Sequence, residues 1–154
     1  PVRILLDNVR SMNNVGSCFR TCDAFLIEKI YLTGITASPP HREIHKTALG
    51  ATETVEWEHN KNPEDILKKL KKNKWKIILI EQTNKSIALN KFHPKKSDKY
   101  CFIFGNEVFG INEKVISNGD LSIEIPQFGT KHSINIAVSI GIVIWDYFIK
   151  TISK

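Results

Sequence analysis

Cysteine is scarce in this chain, with three residues in 154: Cys18, Cys22 and Cys101. Three are too few for a disulfide framework and their spacing matches no zinc signature, so a reducing, cytoplasmic setting and no structural metal are expected. Long apolar runs are missing too. The longest, Ile134 to Trp145, is interrupted by Asn135 and Ser139 and falls short of the roughly 20 residues that span a bilayer. The opening Pro1-Val2-Arg3-Ile4-Leu5-Leu6-Asp7 has no signal-peptide core, and the absent initiator Met points to a trimmed or partial chain. Arginine occurs only at Arg3, Arg10, Arg20 and Arg42, so an Arg inside a motif carries more information than any of the many lysines.

With 42% hydrophobic and 25% charged residues, the composition is that of a folded globular protein. A length of 154 residues suits one domain and excludes an enzyme with separate cofactor and substrate lobes. Lysine and arginine number 22 against 16 acids, a formal charge of +6, which makes a polyanion such as nucleic acid a candidate partner. The lysines crowd into Lys61 to Lys76, a solvated helix face or a phosphate-contacting surface, and recur in the loop Phe92-His93-Pro94-Lys95-Lys96-Ser97.

Short apolar runs alternate with segments of helical period, the pattern of an α/β domain with a mostly parallel sheet flanked by helices. Strands are predicted near residues 2–6, 29–33, 76–81, 100–104 and 121–125. Helices are predicted over Asn13 to Phe25, over Pro63 to Lys72 after an Asn-Pro start signal, and over Ser133 to Lys150. The last is apolar nearly all round and should pack on more than one side, as a helix against a partner subunit does.

Three clusters sit beside predicted strands, where α/β folds gather their ligands. In Asn14-Val15-Gly16-Ser17-Cys18-Phe19-Arg20, Asn14 suits a helix cap, Gly16 permits a close backbone approach, and Arg20 can clamp a phosphate or pair on the surface. In Gly105-Asn106-Glu107-Val108-Phe109-Gly110, two glycines stand five apart, but Ile111 and Asn112 occupy the places of a P-loop's Lys and Ser/Thr, which disfavours a nucleotide triphosphatase. No Gly-x-Gly-x-x-Gly follows a strand, so a dinucleotide fingerprint is absent as well. In Ile125 to Asn135, Ser133 suits an N-cap, and Asn135 among apolar neighbours reads as a buried amide in need of partners. Ser133 beside His132 is a weak hydrolase signal, since no Gly-x-Ser-x-Gly elbow is present.

In this order and spacing the clusters resemble the three motifs of the SpoU (TrmH-like) branch of the SPOUT RNA methyltransferases: Asn14-x-Gly16-x-x-x-Arg20, then Gly105-Asn106-Glu107-x-x-Gly110, then Ile125-Pro126 through Ser133-Ile134-Asn135. His45 to Ala51 resembles the loop after the family's second strand. Glu81-Gln82-Thr83, Ile125-Pro126-Gln127 and Trp145 are similar to the catalytic domains of tRNA guanosine-18 2′-O-methyltransferases. Ile134 stands where the family usually has Leu.

The resemblance implies one SPOUT domain over residues 1–154 with a C-terminal deep trefoil knot, a rare exception to un-knotted topology. It implies methylation of a ribose 2′-hydroxyl by S-adenosylmethionine, with guanosine 18 of tRNA as target and rRNA or the tRNA wobble ribose as the alternatives. A non-catalytic RNA-binding module on the same fold is a reading from another class. By the same resemblance the catalytic group comprises Arg20, acting from the partner subunit of a homodimer, with Asn14, Glu107, Ser133 and Asn135. The cofactor would lie against Gln82, Thr83, Gly105, Asn106, Glu107, Gly110, Ile125, Pro126, Ser133, Ile134 and Asn135, with Ile125 and Ile134 flanking the adenine. No metal is required, because the cofactor brings its own electrophile.

Overall fold

A computed structural model describes residues 1–131 and 133–152. Seven strands form one sheet in the order β3-β2-β1-β6-β4-β7-β5, and every pairing is parallel. The strands are β1 (Val2–Asp7), β2 (Lys29–Thr33), β3 (Glu56–Asn60), β4 (Trp75–Ile80), β5 (Ile87–Ala88), β6 (Lys99–Phe104) and β7 (Leu121–Glu124). The central strands are continuous apolar runs because helices cover both sheet faces.

Alternation along each strand divides the core. Ile4, Leu6, Ile30, Leu32, Ile78, Phe102 and Phe104 point to the face covered by α1 (Met12–Ala24), α2 (Arg42–Ala48) and α5 (Ile136–Ile152). Leu5, Ile77, Leu79, Cys101 and Ile103 point to the other face, under α3 (Pro63–Lys72) and α4 (Glu113–Ile116). Ile66, Leu67 and Leu70 of α3 are the buried stripe that faces them, while the lysines of that helix stay in water.

The structure departs from the sequence reading at definite places. The two strands without a sequence signal, β3 and β5, are the sheet's edges; β3 reads Glu-Trp-Glu-His-Asn and needs no continuous apolar run, and β5 has two residues. Residues 45–48, expected in a loop, belong to α2, started by His41, whose Nδ1 accepts the Glu43 N–H at 3.1 Å, and buried through Ile44 and Ala48. Ser11, not Asn14, caps α1 by accepting the Asn14 N–H at 3.2 Å. The final helix begins at Ile136, so Ser133 lies outside it. Asn135 is its cap, with Oδ1 accepting from the Ala137 and Val138 N–H groups at 2.8 and 3.3 Å, and it is exposed rather than buried among apolar neighbours. His132 lies outside the described residues.

Gly16 serves the close approach its type suggested, and what approaches is a helix. A Cβ there would meet the Ile44 carbonyl and the Thr47 hydroxyl of α2. Thr47 in turn donates to the Asn13 carbonyl at 2.8 Å, locking the two helices together. No helix among the described residues is long and apolar enough to cross a membrane. Gly16→Ala is therefore expected to cost about 1–3 kcal/mol as an overpacking change. Urea denaturation measures it, and an unchanged midpoint would show that α2 yields without cost.

Candidate functional site

The loops that follow β1, β4, β6 and β7 all emerge at the carboxyl edge of the sheet, the usual ligand edge of a parallel α/β fold. Around them lies a cavity of about 580 Å³, lined by Asn14 from α1, by Phe104, Gly105, Asn106, Glu107 and Gly110 after β6, and by Ser133, Ile134 and Asn135 before α5. A hollow of about 190 Å³ adjoins it, sharing Ile80, Glu81, Ser133, Ile134 and Ser139 and adding Gln82, Ile125 and Gln127.

The loop after β6 is fixed from within. Asn106 and Gly110 exchange backbone hydrogen bonds at 2.9 and 3.0 Å, and Asn106 Oδ1 accepts from the Val108 and Phe109 N–H groups at 2.8 and 2.9 Å. The Asn106 amide donates to the Asn8 carbonyl at 2.8 Å, tying the loop to the end of β1. Gly110 holds φ +70°, which favours glycine, and a Cβ there would meet the Glu81 carboxylate. Gly105 faces the other limb of the turn, where a Cβ would meet the Gly110 carbonyl and the Ile111 nitrogen. The glycines of this motif are thus demanded by loop closure.

Glu107 binds the loop to α1. Its two carboxylate oxygens accept from the Arg10 and Ser11 N–H groups at 3.1 Å each, at the positive end of the helix dipole. Burial alone would raise the carboxyl's pKa, but these donors, its own N–H and the Asn14 amide bring it below the ordinary value. Asn14 also accepts from the Asn135 amide, Nδ2 to Oδ1 at 3.3 Å. Glu107, Asn14 and Asn135 therefore form one polar chain that joins residues far apart in sequence.

The cavity thus gathers Asn14, Gly105, Asn106, Glu107, Gly110, Ser133, Ile134 and Asn135, and the adjoining hollow gathers Gln82 and Ile125. Thr83 and Pro126 line neither. Thr83 belongs to a turn closed by Ser86, whose Oγ donates to the Thr83 carbonyl at 2.8 Å. Arg20 lies exposed on α1, away from both cavities, and forms no hydrogen bond or ion pair among the described residues. Sequence reasoning did not name Glu81 as a site residue. Its Oε2 accepts the Ile111 N–H at 2.8 Å, and its place immediately after β4, at the ligand edge, was the available signal.

The SpoU rRNA Methylase family model matches residues 1–145. The chain belongs to this family. It is 29% identical over 144 residues to the 23S rRNA (guanosine-2′-O-)-methyltransferase RlmB of Neisseria meningitidis, covering 94% of this chain and 56% of that protein. It is 31% identical over 141 residues to the tRNA (guanosine(18)-2′-O)-methyltransferase of Saccharomyces cerevisiae, covering 89% of this chain and 10% of that protein. Among solved structures, the AdoMet-bound rRNA methyltransferase from Sinorhizobium meliloti shares the fold at a TM-score of 0.87 and 24% identity, over 94% of this chain and 54% of that one. The chain thus spans about half, or much less, of these relatives.

Because the Glu107 pKa is depressed in the folded state, its contribution to stability is complete above the unfolded value of about 4.3 and is lost as pH falls through the folded value. Glu107→Gln is expected to lose about 1 kcal/mol at pH 7, the scale of a helix cap. The gap to the parent chain should narrow as pH falls below about 4.3. Denaturation at a series of pH values measures it, and a gap constant from pH 7 to 3 would contradict the assignment.

Proposed function

We propose that this chain is an S-adenosylmethionine-dependent RNA methyltransferase that modifies a ribose 2′-hydroxyl, with guanosine 18 of tRNA as its target. The observation that carries the proposal is the joining of the three motif segments around one cavity by Glu107, Asn14 and Asn135. The named activities of the family relatives support the reaction class. The motif wording favours the tRNA target over rRNA or the wobble ribose.

The cavity suits the cofactor. Its size lies in the range of small-molecule sites. Ile125 and Ile134 give the adjoining hollow an apolar wall for an adenine, and the irregular segments around Gly105 and residues 125–131 leave backbone groups for its polar atoms. The cofactor supplies an electrophilic sulfonium methyl. Asn14 and Asn135 present polar side chains at the mouth where a ribose is held in line. The Arg20 guanidinium would bind the neighbouring phosphate and stabilise the alkoxide that develops as the hydroxyl passes its proton to solvent and takes the methyl group.

Arg20 acts across a homodimer in this reading. Six residues of helix place it about 9 Å further along α1 than Asn14 and about 120° around the axis, so it faces away from its own chain's cavity. An exposed apolar stripe on α5 supports the homodimer: Ile140, Val143 and Ile144 are buried, while Val138, Ile142, Trp145 and Ile152 face out. The reading also includes the deep trefoil knot, supported by the non-sequential order β6-β4-β7 and by the return of the 133–135 segment to α1 beside the 105–110 loop. A cytoplasmic location agrees with three free, buried cysteines.

Transfer of labelled methyl to tRNA transcripts, followed by mapping of the modified ribose, tests the proposal. The label is expected at guanosine 18; its appearance at another ribose would move the target, and its absence from tRNA and rRNA alike would leave a binding module. Arg20→Ala is expected to lower kcat on the order of 100-fold or more while calorimetric cofactor affinity stays unchanged. Full activity in that variant would remove Arg20 from the reaction.

A further inference from the structure

The opposite edge of the sheet holds a second cavity, of about 660 Å³. It is built where β4, β6 and β7 begin, at Trp75, Tyr100 and Leu121. Along β4, five steps of about 3.3 Å put Trp75 at this cavity's rim about 17 Å from Ile80 of the motif-lined cavity, with Ile78 lining its inner end.

Two lysine-bearing segments remote in sequence converge there, Lys74 and Lys76 after α3 and Lys91 and Lys95 before β6. The acids in the lining are already engaged. Asp98 pairs with Lys76 at 2.7 Å and accepts the Tyr100 hydroxyl at 3.3 Å, and Asp120 accepts the Ile77 N–H at 2.7 Å. Lys74, Lys91 and Lys95 are exposed and form no ion pair among the described residues. Beneath them Phe92, 6% exposed, forms an apolar floor with Ile78, Ile87 and Leu121 of the same sheet face.

Lys74 is also held at φ 61°, just past the end of α3, where glycine or asparagine is usual. A side chain there costs roughly 1–2 kcal/mol, and such a cost at a cavity rim points to function.

We infer that this cavity is a second contact site for the sugar-phosphate backbone of RNA, separate from the methyl-transfer cavity. Three ammonium groups that form no ion pair among the described residues, outnumbering the one carboxylate in the lining without a cation partner, Asp120, match phosphates that carry sugar edges inward. An RNA seated at the carboxyl edge needs only about 17 Å of further chain to reach its rim, a few nucleotides. The inference rests on the proposed function only in taking RNA as the ligand.

Binding of unfractionated tRNA across a salt series tests it, comparing the parent chain with Lys74→Gln/Lys91→Gln/Lys95→Gln and with Lys61→Gln/Lys68→Gln/Lys72→Gln. The second triple removes the same charge from in and beside α3 without touching the cavity. The cavity triple is expected to weaken binding on the order of tenfold at moderate salt and to lower the slope of log K against log salt by about two. Smaller changes are expected for the control. Equal losses in both triples would overturn the site in favour of diffuse charge, and an unaffected cavity triple would overturn it outright, leaving an acidic peptide as the ligand class to try. Lys74→Gly separates binding from folding: a higher Tm with weaker tRNA binding is expected, and unchanged binding counts against the site. Methyl transfer by the parent chain is scored separately. If it fails while the cavity triple still weakens tRNA binding, the proposed reaction falls and this site stands.

Discussion

The candidate site depends on the entry to α1, where the N–H groups of its cap and the residue before it meet the Glu107 carboxylate. One side chain from the loop after β6 satisfies the Arg10 and Ser11 N–H groups at a helix end whose dipole favours negative charge. That fixes the loop, and with it the segment from Gly105 to Gly110 that walls the cavity. Asn14, one turn further on, then links the same carboxylate to Asn135. Asn135 caps α5, so the seating of the last helix and the shape of the cavity are set by one short polar chain.

The architecture was readable because buried parallel strands are apolar runs and amphipathic helices carry their period; β1, β2, β4, β6 and β7 stand where such runs occur. What was not readable lies at the sheet's edges and the helix ends. Polar β3 and two-residue β5 pair along one side only and leave no run to detect. α5 begins three residues later than Ser133, since Ser133 and Asn135 are both good caps and local sequence does not say which carbonyl begins the ladder. That shift makes Asn135 an exposed cap that also contacts Asn14, where the apolar neighbours in sequence predict a buried amide seeking partners.

The motif glycines show a similar limit. Their type correctly signals a tight approach, but not what approaches. At Gly16 it is α2, at Gly105 the far limb of its own turn, and at Gly110 the Glu81 side chain. Much of the motif's wording therefore encodes the shape of the cavity wall, with ligand contact left to the backbone and to the side chains at the rim. The charge is likewise distributed by the fold: the polar chain of the three motifs sits at one end of the strands and the converging lysines at the other.

The central claim is that the Glu107–Asn14–Asn135 chain assembles a cofactor site from three distant segments. Calorimetric titration of S-adenosylmethionine into the parent chain and into Glu107→Ala tests it most directly. Saturable binding by the parent and at least about tenfold weaker binding by a variant that still melts cooperatively is the predicted result, the loss that a difference of about 1.4 kcal/mol produces. Equal affinity in the two proteins, or no binding by the parent, would contradict it.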